Sequence, residues 1–581
     1  MHRRSPYGFA LSLLMIWFLT RSLSVAGSEK FSGNKTLTYE ACIAAYQELD
    51  QLYPEAKLLE AGPTDCGRSL HLFLIDNRNS YSPVRQQDDQ RLVVFINNGI
   101  HPGEPDGIDA SLMLAKDLLR DPQLHALLDK LIIAIVPVFN IDGALQRGCY
   151  SRANQQGPDA YGFRGNAQYL DLNRDFMKAD AANTRSLISL LIEWNPDILI
   201  DTHVSDGADY AAHMTLISSA ADKQTPTLGT LTRDVLTPEI FSRMQATGDT
   251  ICPYVDTRHP SGIPDSGIVS FLETPRFLSG WAALHHCIGF ITESHMLKPF
   301  PERVNSTHRI LQAILKTAAE NQTAIAHARR SALLHYRHGE RLPLNWILDT
   351  TRVGTLEFSG YKARYRTSKV TGLDRLYYDH DAPYRKPVPF YDHYTGIDST
   401  SIPRYYILPQ AWNKVAELLL LNNVKMKRLS QDSSLDVSAY RITNYNTVDR
   451  PYEGHYLHYQ VSTKAAREKV QCYRGDWIIS TDQPAARYVF EALEPTATDS
   501  YFNWGFFEAV LQQKEWFSDY VFEDVAAELL ESQPALKRDF LEWRSKHPEL
   551  NGDAFAQLLY IYRHSPNFET GSMRYPVYRI D

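Results

Sequence analysis

Four short runs of the sequence are almost entirely apolar, and they constrain the possible folds more than any other feature of the chain. They lie at 92–96, 131–138, 197–201 and 288–292. Strands buried on both faces show this pattern, because neither face then needs polar side chains. Between the runs lie helix-like amphipathic stretches, at about 106–120, 180–194 and 308–328. The alternation predicts an α/β fold in which a mixed, largely parallel sheet is flanked by helices.

The first apolar run leads directly into a polar segment that contains His101 and Glu104. In open α/β sheets, ligand sites gather beyond the carboxyl ends of the strands, which is where this segment is expected to lie. An imidazole nitrogen and a carboxylate oxygen at this spacing can both face one zinc ion. A His-x-x-Glu pair arises about once by chance in a chain of this composition, so further ligands are needed.

A second histidine, His203, follows the apolar run at 197–201. Its position at another strand end makes it the third candidate ligand beside His101 and Glu104. Two histidines and one carboxylate leave a fourth position open for water, as in catalytic rather than structural zinc sites.

The run at 288–292 carries a carboxylate, Glu293, near its end. Glu293 is a candidate to accept a proton from metal-activated water and to deliver it to a leaving amine. The alternative is an ion pair with Lys298 or Arg303.

Arg164 precedes the unit Asp171-Leu172-Asn173-Arg174, which supplies a second arginine, Arg174. Arginine holds a carboxylate through two parallel hydrogen bonds and keeps its charge at any working pH, so the pair indicates a site for an anion. The alternative is a pair of surface arginines that are matched by Asp171 and Asp175.

The order of these motifs resembles the zinc metallocarboxypeptidases of the carboxypeptidase A superfamily, in particular its larger exported bacterial members. The resemblance covers roughly residues 36–330. It implies one zinc ion per chain, held by His101, Glu104 and His203, and it implies that Asp171 orients the first zinc histidine. Asn173 and Arg174 match the pair that holds the substrate's terminal carboxylate, and Glu293 matches the glutamate that transfers the proton.

The arginine that stabilises the oxyanion is less sharply marked. Arg164 has the spacing of the bacterial relatives and is favoured, while Arg152 stands in a similar local sequence upstream. The sequence departs from the pancreatic enzymes at 276–281, where it lacks their loop tyrosine. Trp281 either closes the pocket there or packs beneath a loop.

The chain changes character after about residue 335. Frequent tyrosines and short alternating segments predict a β-rich accessory region at 335–480. Residues 481–581 are predicted to be mainly helical. The aromatic residues of this tail either form a packed core, which is favoured, or stack on sugars.

The amino terminus has the basic, apolar and small-residue sections of a signal peptide, predicted over residues 1–26. The protein is therefore expected to be exported, either to the periplasm or to the extracellular space, with no integral membrane segment after cleavage. The six cysteines allow up to three disulfides. The net charge of −8, without a basic stripe, disfavours nucleic acid as a partner.

Together these features predict a zinc-dependent metallocarboxypeptidase that hydrolyses the C-terminal bonds of peptides or proteins. One alternative keeps the fold and the metal but acts as an amidase on cell-wall peptides. Another is a non-catalytic protein that binds glycans. The preferred terminal residue does not follow from the sequence.

Overall fold

The computed structural model of the protein describes residues 30–84, 89–258 and 262–581. The predicted signal peptide lies outside these residues. Within the described ranges, no helix is both long enough and apolar enough to cross a membrane.

An eight-stranded sheet forms the centre of the N-terminal half, in the order β1-β2-β4-β3-β5-β10-β6-β7. The four central strands, β4, β3, β5 and β10, run parallel, and β2 and β6 pair with them antiparallel on either side. At the edges, β1 pairs antiparallel with β2 and β7 pairs parallel with β6. The strands of this half, including the short β8 and β9 outside the sheet, are β1 Ala56–Pro63, β2 Ser69–Ile75, β3 Leu92–Asn98, β4 Leu131–Val136, β5 Ile198–Ser205, β6 Met214–Ser218, β7 Ile251–Pro253, β8 Asp256–Thr257, β9 Ile268–Val269 and β10 Ile288–His295.

Helices cover both faces of this sheet. They are α1 Tyr39–Leu52, α2 Asp106–Arg120, α3 Pro122–His125, α4 Ile141–Leu145, α5 Ala182–Trp194, α6 Pro226–Leu231, α7 Thr237–Ala246, α8 Leu278–Leu284, α9 Phe300–Glu320 and α10 Gln322–Leu333. Along β3, Val94 and Ile96 pack in the core that contains α2 and α9, while Val93 and Phe95 pack in the core that contains α5 and α8. Alternate side chains of a strand point to opposite faces, so burial on both sides explains the unbroken apolar runs. The predicted α/β fold is confirmed.

Three strands extend further than the apolar runs indicated. β3, β5 and β10 continue to Asn98, Ser205 and His295, so the polar ends of these segments still hydrogen-bond within the sheet. The predicted helix at 308–328 is instead two helices, α9 and α10, that meet at Asn321.

The C-terminal half contains long hairpins and then helices. Its strands are β11 Arg341–Leu342, β12 Asn345–Leu348, β13 Gly354–Thr367, β14 Asp374–Tyr391, β15 Tyr394–Ile397, β16 Thr400–Ser401, β17 Tyr405–Leu408, β18 Met426–Arg428, β19 Ser433–Thr447, β20 His458–Cys472, β21 Trp477–Ser480 and β22 Tyr578–Ile580. Its helices are α11 Asn413–Leu421, α12 Ala486–Leu493, α13 Asp519–Ser532, α14 Pro534–Lys546 and α15 Ala554–Arg563. The final strand β22 returns to pair with β17 and β19. The domain boundaries drawn from the sequence stay a prediction.

The two halves share one apolar core. Leu187 and Trp281 of the helix layer pack in the same cluster as Tyr488, Tyr501 and Trp504 of the C-terminal half. Their continuous packing joins the C-terminal half directly to the layer of helices that covers the sheet. All six cysteines lie in the described residues and all are free thiols, so none of the possible disulfides is present.

Candidate active site

Three of the predicted residues meet beyond the ends of the central strands. His101 and Glu104 follow β3, and His203 lies near the C-terminal end of β5. One potential ligand atom from each of the three lies within 4.8 Å of the others. His101 Nδ1 is 3.3 Å from Glu104 Oε1, and His203 Nδ1 is 3.0 Å from Glu104 Oε2. The same nitrogen of both rings thus faces the same carboxylate.

The other nitrogen of each ring is held by an aspartate. His101 Nε2 lies 2.9 Å from Asp171 Oδ1, and His203 Nε2 lies 2.8 Å from Asp201 Oδ2. Carboxylates in this position fix the ring orientation and raise the basicity of a metal-binding histidine. The arrangement leaves both Nδ1 atoms directed at a common point.

The donor set fits a zinc ion. Two imidazole nitrogens and one carboxylate are the ligands of many catalytic zinc sites. His101 Nδ1 is buried and makes no hydrogen bond to any described residue. A buried polar atom without a partner costs free energy, and a bound metal ion would supply that partner. Against the effect of burial, Arg152 and His101 hold the pKa of Glu104 well below its usual range, so this ligand stays ionised.

Strand pairing brings Glu293 to the same site. In the parallel pair of β5 and β10, Glu293 is the direct partner of His203. Neighbouring residues at the same register present their side chains on the same face of a sheet. Burial and the carboxylates of Glu104 and Asp206, opposed by His203, raise the pKa of Glu293 to about 8. Glu293 Oε2 is buried without a hydrogen-bond partner among the described residues. The alternative interpretation, an ion pair with Lys298 or Arg303, is not supported: Arg303 pairs with Asp106, and the Lys298 ammonium donates to the Tyr210 carbonyl.

The two candidate arginines occupy different environments. Arg164 lines the cavity at the site, with its guanidinium 2.9 Å from Asp171 and 3.4 Å from Glu104. Arg152 lies 2.6 Å from Glu104 and donates to the Val204 carbonyl, and it does not line that cavity. The geometry therefore favours Arg164 as the arginine available to a substrate.

Asn173 and Arg174 also line the cavity. Asn173 Oδ1 accepts a hydrogen bond from the Leu278 N–H at 3.0 Å, and no described residue accepts one from its Nδ2. The Arg174 guanidinium stacks 4.2 Å above the Phe277 ring, and its Nη1 donates to the Asn173 carbonyl. Arg174 is 3.9 Å from Asp171, too far for a close ion pair. Both side chains keep donors for an incoming anion.

The cavity of about 170 Å³ adjoins a larger apolar one of about 450 Å³. Ile217, Tyr254 and Phe271 line both cavities. The rings of Phe277 and Phe271 pack edge to face at 5.2 Å, so the larger cavity begins close to the arginine stacked on Phe277. The charged Arg233 on its wall is paired with Asp222 at 2.7 Å.

Trp281 does not close the pocket. It is 2% exposed, packs against Phe176 and His285, and donates from Nε1 to Asn422 Oδ1 at 2.8 Å. Of the two interpretations, a packed ring is the one the structure supports, and it packs in the apolar core from helix α8. A tyrosine does line the cavity, namely Tyr254, which lies earlier in the chain than the segment 276–281.

Two contacts of the site were missed by sequence reasoning. Asp201 precedes His203 by two residues on one strand, and side chains at that spacing share a face. The Asp-x-His spacing was therefore a usable signal. Glu453 accepts a hydrogen bond from the Asp171 N–H at 2.7 Å across 282 residues of sequence, and no local pattern announces such a contact.

Comparisons with known proteins indicate the class to which the chain is similar. Residues 42–189 match the family model described as Zinc carboxypeptidase. Carboxypeptidase 2 of Trichophyton equinum is 23% identical over 441 residues, which cover 73% of this chain and 76% of that protein. Carboxypeptidase 2 of Trichophyton rubrum is 24% identical over 446 residues, with 73% and 76% covered. These matches support a hydrolase of the metallocarboxypeptidase class. Within that class, residues 42–189 match a zinc carboxypeptidase domain.

Solved structures align over about half of the chain. A metallo-carboxypeptidase from Burkholderia cenocepacia has 19% identity and a TM-score of 0.37, covering 48% of this chain and 69% of that one. The metallo-carboxypeptidase from Pseudomonas aeruginosa, in complex with (2-guanidinoethylmercapto)succinic acid, has 18% identity and a TM-score of 0.37, covering 50% and 70%.

Proposed function

We propose that the protein is a zinc-dependent exopeptidase that releases single residues from the C-termini of peptides or proteins. One observation carries the proposal: the potential metal ligands, an unpartnered glutamate and an Asn-Arg pair all line one cavity. A metal site alone would serve many hydrolases. The pair of cationic and amide donors beside it is what favours a substrate with a free terminal carboxylate.

His101, Glu104 and His203 would hold one zinc ion. When bound, zinc supplies a Lewis acid that polarises the scissile carbonyl and makes water a better nucleophile. Asp171 and Asp201 orient the two histidine rings through their Nε2 atoms.

Asn173 and Arg174 bind the α-carboxylate of the substrate and so fix which bond faces the ligands. In its ionised form, Glu293 takes a proton from the attacking water through its free Oε2 and passes it to the departing amine. Arg164 places a fixed positive charge where negative charge develops on the carbonyl oxygen. The contacts of Arg164 with Asp171 and Glu104 hold the guanidinium in place before the substrate arrives.

The larger cavity supports an apolar terminal residue as the preferred one. Ile217, Phe271 and Phe390 contribute apolar surface to its wall, and the nearby arginine is already neutralised by Asp222. A terminal glutamate would have to bury its charge there without a free cation among the lining residues, which is unfavourable. A phenylalanine or leucine side chain gains from the same burial.

The amino-terminal sequence further supports export, to the periplasm or the extracellular space.

The test is release of C-terminal residues from a mixed library of linear peptides by the purified protein. We expect free amino acids, mainly phenylalanine and leucine, to appear one at a time, to stop with a zinc chelator and to return with added zinc. Peptides with amidated C-termini are the matched control and should resist. Cleavage of the amidated peptides at equal rate would contradict the proposal, and cleavage of muropeptides alone would favour the amidase.

A further inference from the structure

A tight turn of the C-terminal half, Tyr452–His455 between β19 and β20, contacts the active site. Tyr452 and His455 exchange backbone hydrogen bonds of 2.8 and 3.0 Å. The two residues at the tip, Glu453 and Gly454, have φ values of 49° and 81°. Positive φ at both central positions is the geometry of tight two-residue hairpin turns. The turn therefore holds its tip in a defined orientation.

The tip contacts the backbone of the substrate-binding segment. Glu453 Oε2 accepts a hydrogen bond from the Asp171 N–H at 2.7 Å. The side chain of Asp171 in turn contacts His101 at 2.9 Å and Arg164 at 2.9 Å. A single residue thus separates the C-terminal half from a candidate metal ligand and from the candidate oxyanion arginine.

Neighbouring contacts tie down the same part of the active site. His455 Nε2 lies 2.8 Å from Asp180 Oδ2, a few residues beyond the Asn-Arg pair. Asp499 accepts from the Arg276 backbone N–H at 3.0 Å and lies 2.7 Å from its guanidinium. Arg276 is adjacent to Phe277, whose ring supports Arg174. Both chain segments that form the anion site are thus held by the C-terminal half.

We propose that Glu453 is a positioning residue of the active site, so that the C-terminal half is a working part of the catalytic apparatus. This inference rests on the proposed function. Asp171 can orient His101 and Arg164 only if its own backbone is fixed. The Asp171 N–H precedes the 3-10 turn Leu172–Arg174, where backbone donors lack partners within the turn itself. Glu453 supplies that missing acceptor.

Two substitutions of equal length separate the hydrogen bond from the bulk of the side chain. Glu453→Gln keeps an oxygen that can accept from the Asp171 N–H, whereas Glu453→Met keeps the length and removes the acceptor. We expect Glu453→Met to weaken zinc binding about tenfold and to raise KM for peptides with free C-termini by a similar factor, since removal of outer partners of metal ligands has effects of this size. Glu453→Gln should stay within about twofold of the wild type, because the acceptor is retained.

The matched control is Glu468→Met, in β20 of the same hairpin, where the carboxylate pairs with Arg574 at 3.1 Å, away from the site. Zinc affinity is measured by competition with a chelator, and KM and kcat are measured separately. Equal losses in Glu453→Met and Glu468→Met, or no loss in Glu453→Met, overturn the proposal. If Glu453→Met fails to fold, Glu453→Asp decides, because the shorter carboxylate keeps the charge but cannot reach the N–H and should weaken zinc binding.

The zinc measurement keeps this proposal separate from the proposed function. If the wild type releases no terminal residue, the exopeptidase proposal fails. Zinc affinity in the same variants then still decides the role of Glu453, in either direction.

Discussion

The two halves of the candidate metal site are built in different ways. His203, its aspartate Asp201 and the catalytic candidate Glu293 all lie on neighbouring strands of the central sheet. His101 follows a strand in a loop, and its aspartate Asp171 caps a short turn that is braced by Glu453 of the C-terminal half. The sheet alone fixes the first half, whereas the second half depends on contacts between distant parts of the chain. We therefore expect the two halves to respond differently to substitution.

The largest effect is expected in the sheet-built half, from Glu293→Gln. The amide keeps the size of the side chain but cannot accept a proton, so kcat should fall by about 10²- to 10⁴-fold. Glu293 is not among the three potential ligands, so the zinc content should stay near one per chain. Turnover and zinc content of the purified variant provide the check. Near-normal turnover would remove Glu293 from the proposed mechanism.

The next largest effects are expected from substitution of the two aspartates that hold the histidine rings. Asp201→Asn and Asp171→Asn should each weaken zinc binding about 10- to 100-fold, because each removes the charged partner of one histidine. Only Asp171→Asn should also raise KM strongly, because Asp171 also caps the short turn that carries the carboxylate-binding residues Asn173 and Arg174. Zinc competition and steady-state kinetics of both variants measure these effects. Equal KM values in the two variants would contradict the proposed difference between the two halves of the metal site.

The sequence was enough to predict the sheet and the three potential ligands, because each ligand follows or ends a buried strand. The sequence favoured Arg164 over Arg152 by its spacing, and the structure adds support for this prediction, since both guanidinium groups reach Glu104 and their surroundings distinguish them. Glu453 was beyond sequence reasoning for a different reason. Its contact with Asp171 depends on how a hairpin in the C-terminal half packs against the catalytic half, and packing between distant segments leaves no periodic pattern.

A smaller effect is expected at the apolar cavity, where Phe271 lines both compartments. Phe271→Ala should lower kcat/KM for peptides ending in phenylalanine by about tenfold, because the terminal ring loses apolar contact area. Peptides ending in alanine should change less, since a methyl group makes fewer contacts there. The exposed aromatic Phe555 provides the control, as Phe555→Ala should leave both values unchanged. A uniform loss for all peptides would contradict a role of this cavity in selecting the terminal residue.

The smallest expected effect is a dependence of stability on pH that arises where the N-terminal and C-terminal halves of the chain meet. Burial lowers the pKa of His285 to about 4 and of His286 to about 3, and nearby Arg329 acts in the same direction. His285 stacks on Tyr488 and His286 on Tyr336, so both rings pack against residues that follow the catalytic sheet. The unfolded chain binds protons at these rings below about pH 6.5, whereas the folded chain resists protonation. The contribution of these rings to stability is therefore fully present above about pH 6.5 and is lost as the pH falls toward 4 and then 3.

The test uses zinc-free protein, which avoids the effect of acid on metal binding. In denaturant titrations, His286→Phe should reduce this loss of stability, while His338→Phe at an exposed position should not. An unchanged slope in His286→Phe would mean that the junction is not what makes the protein sensitive to acid.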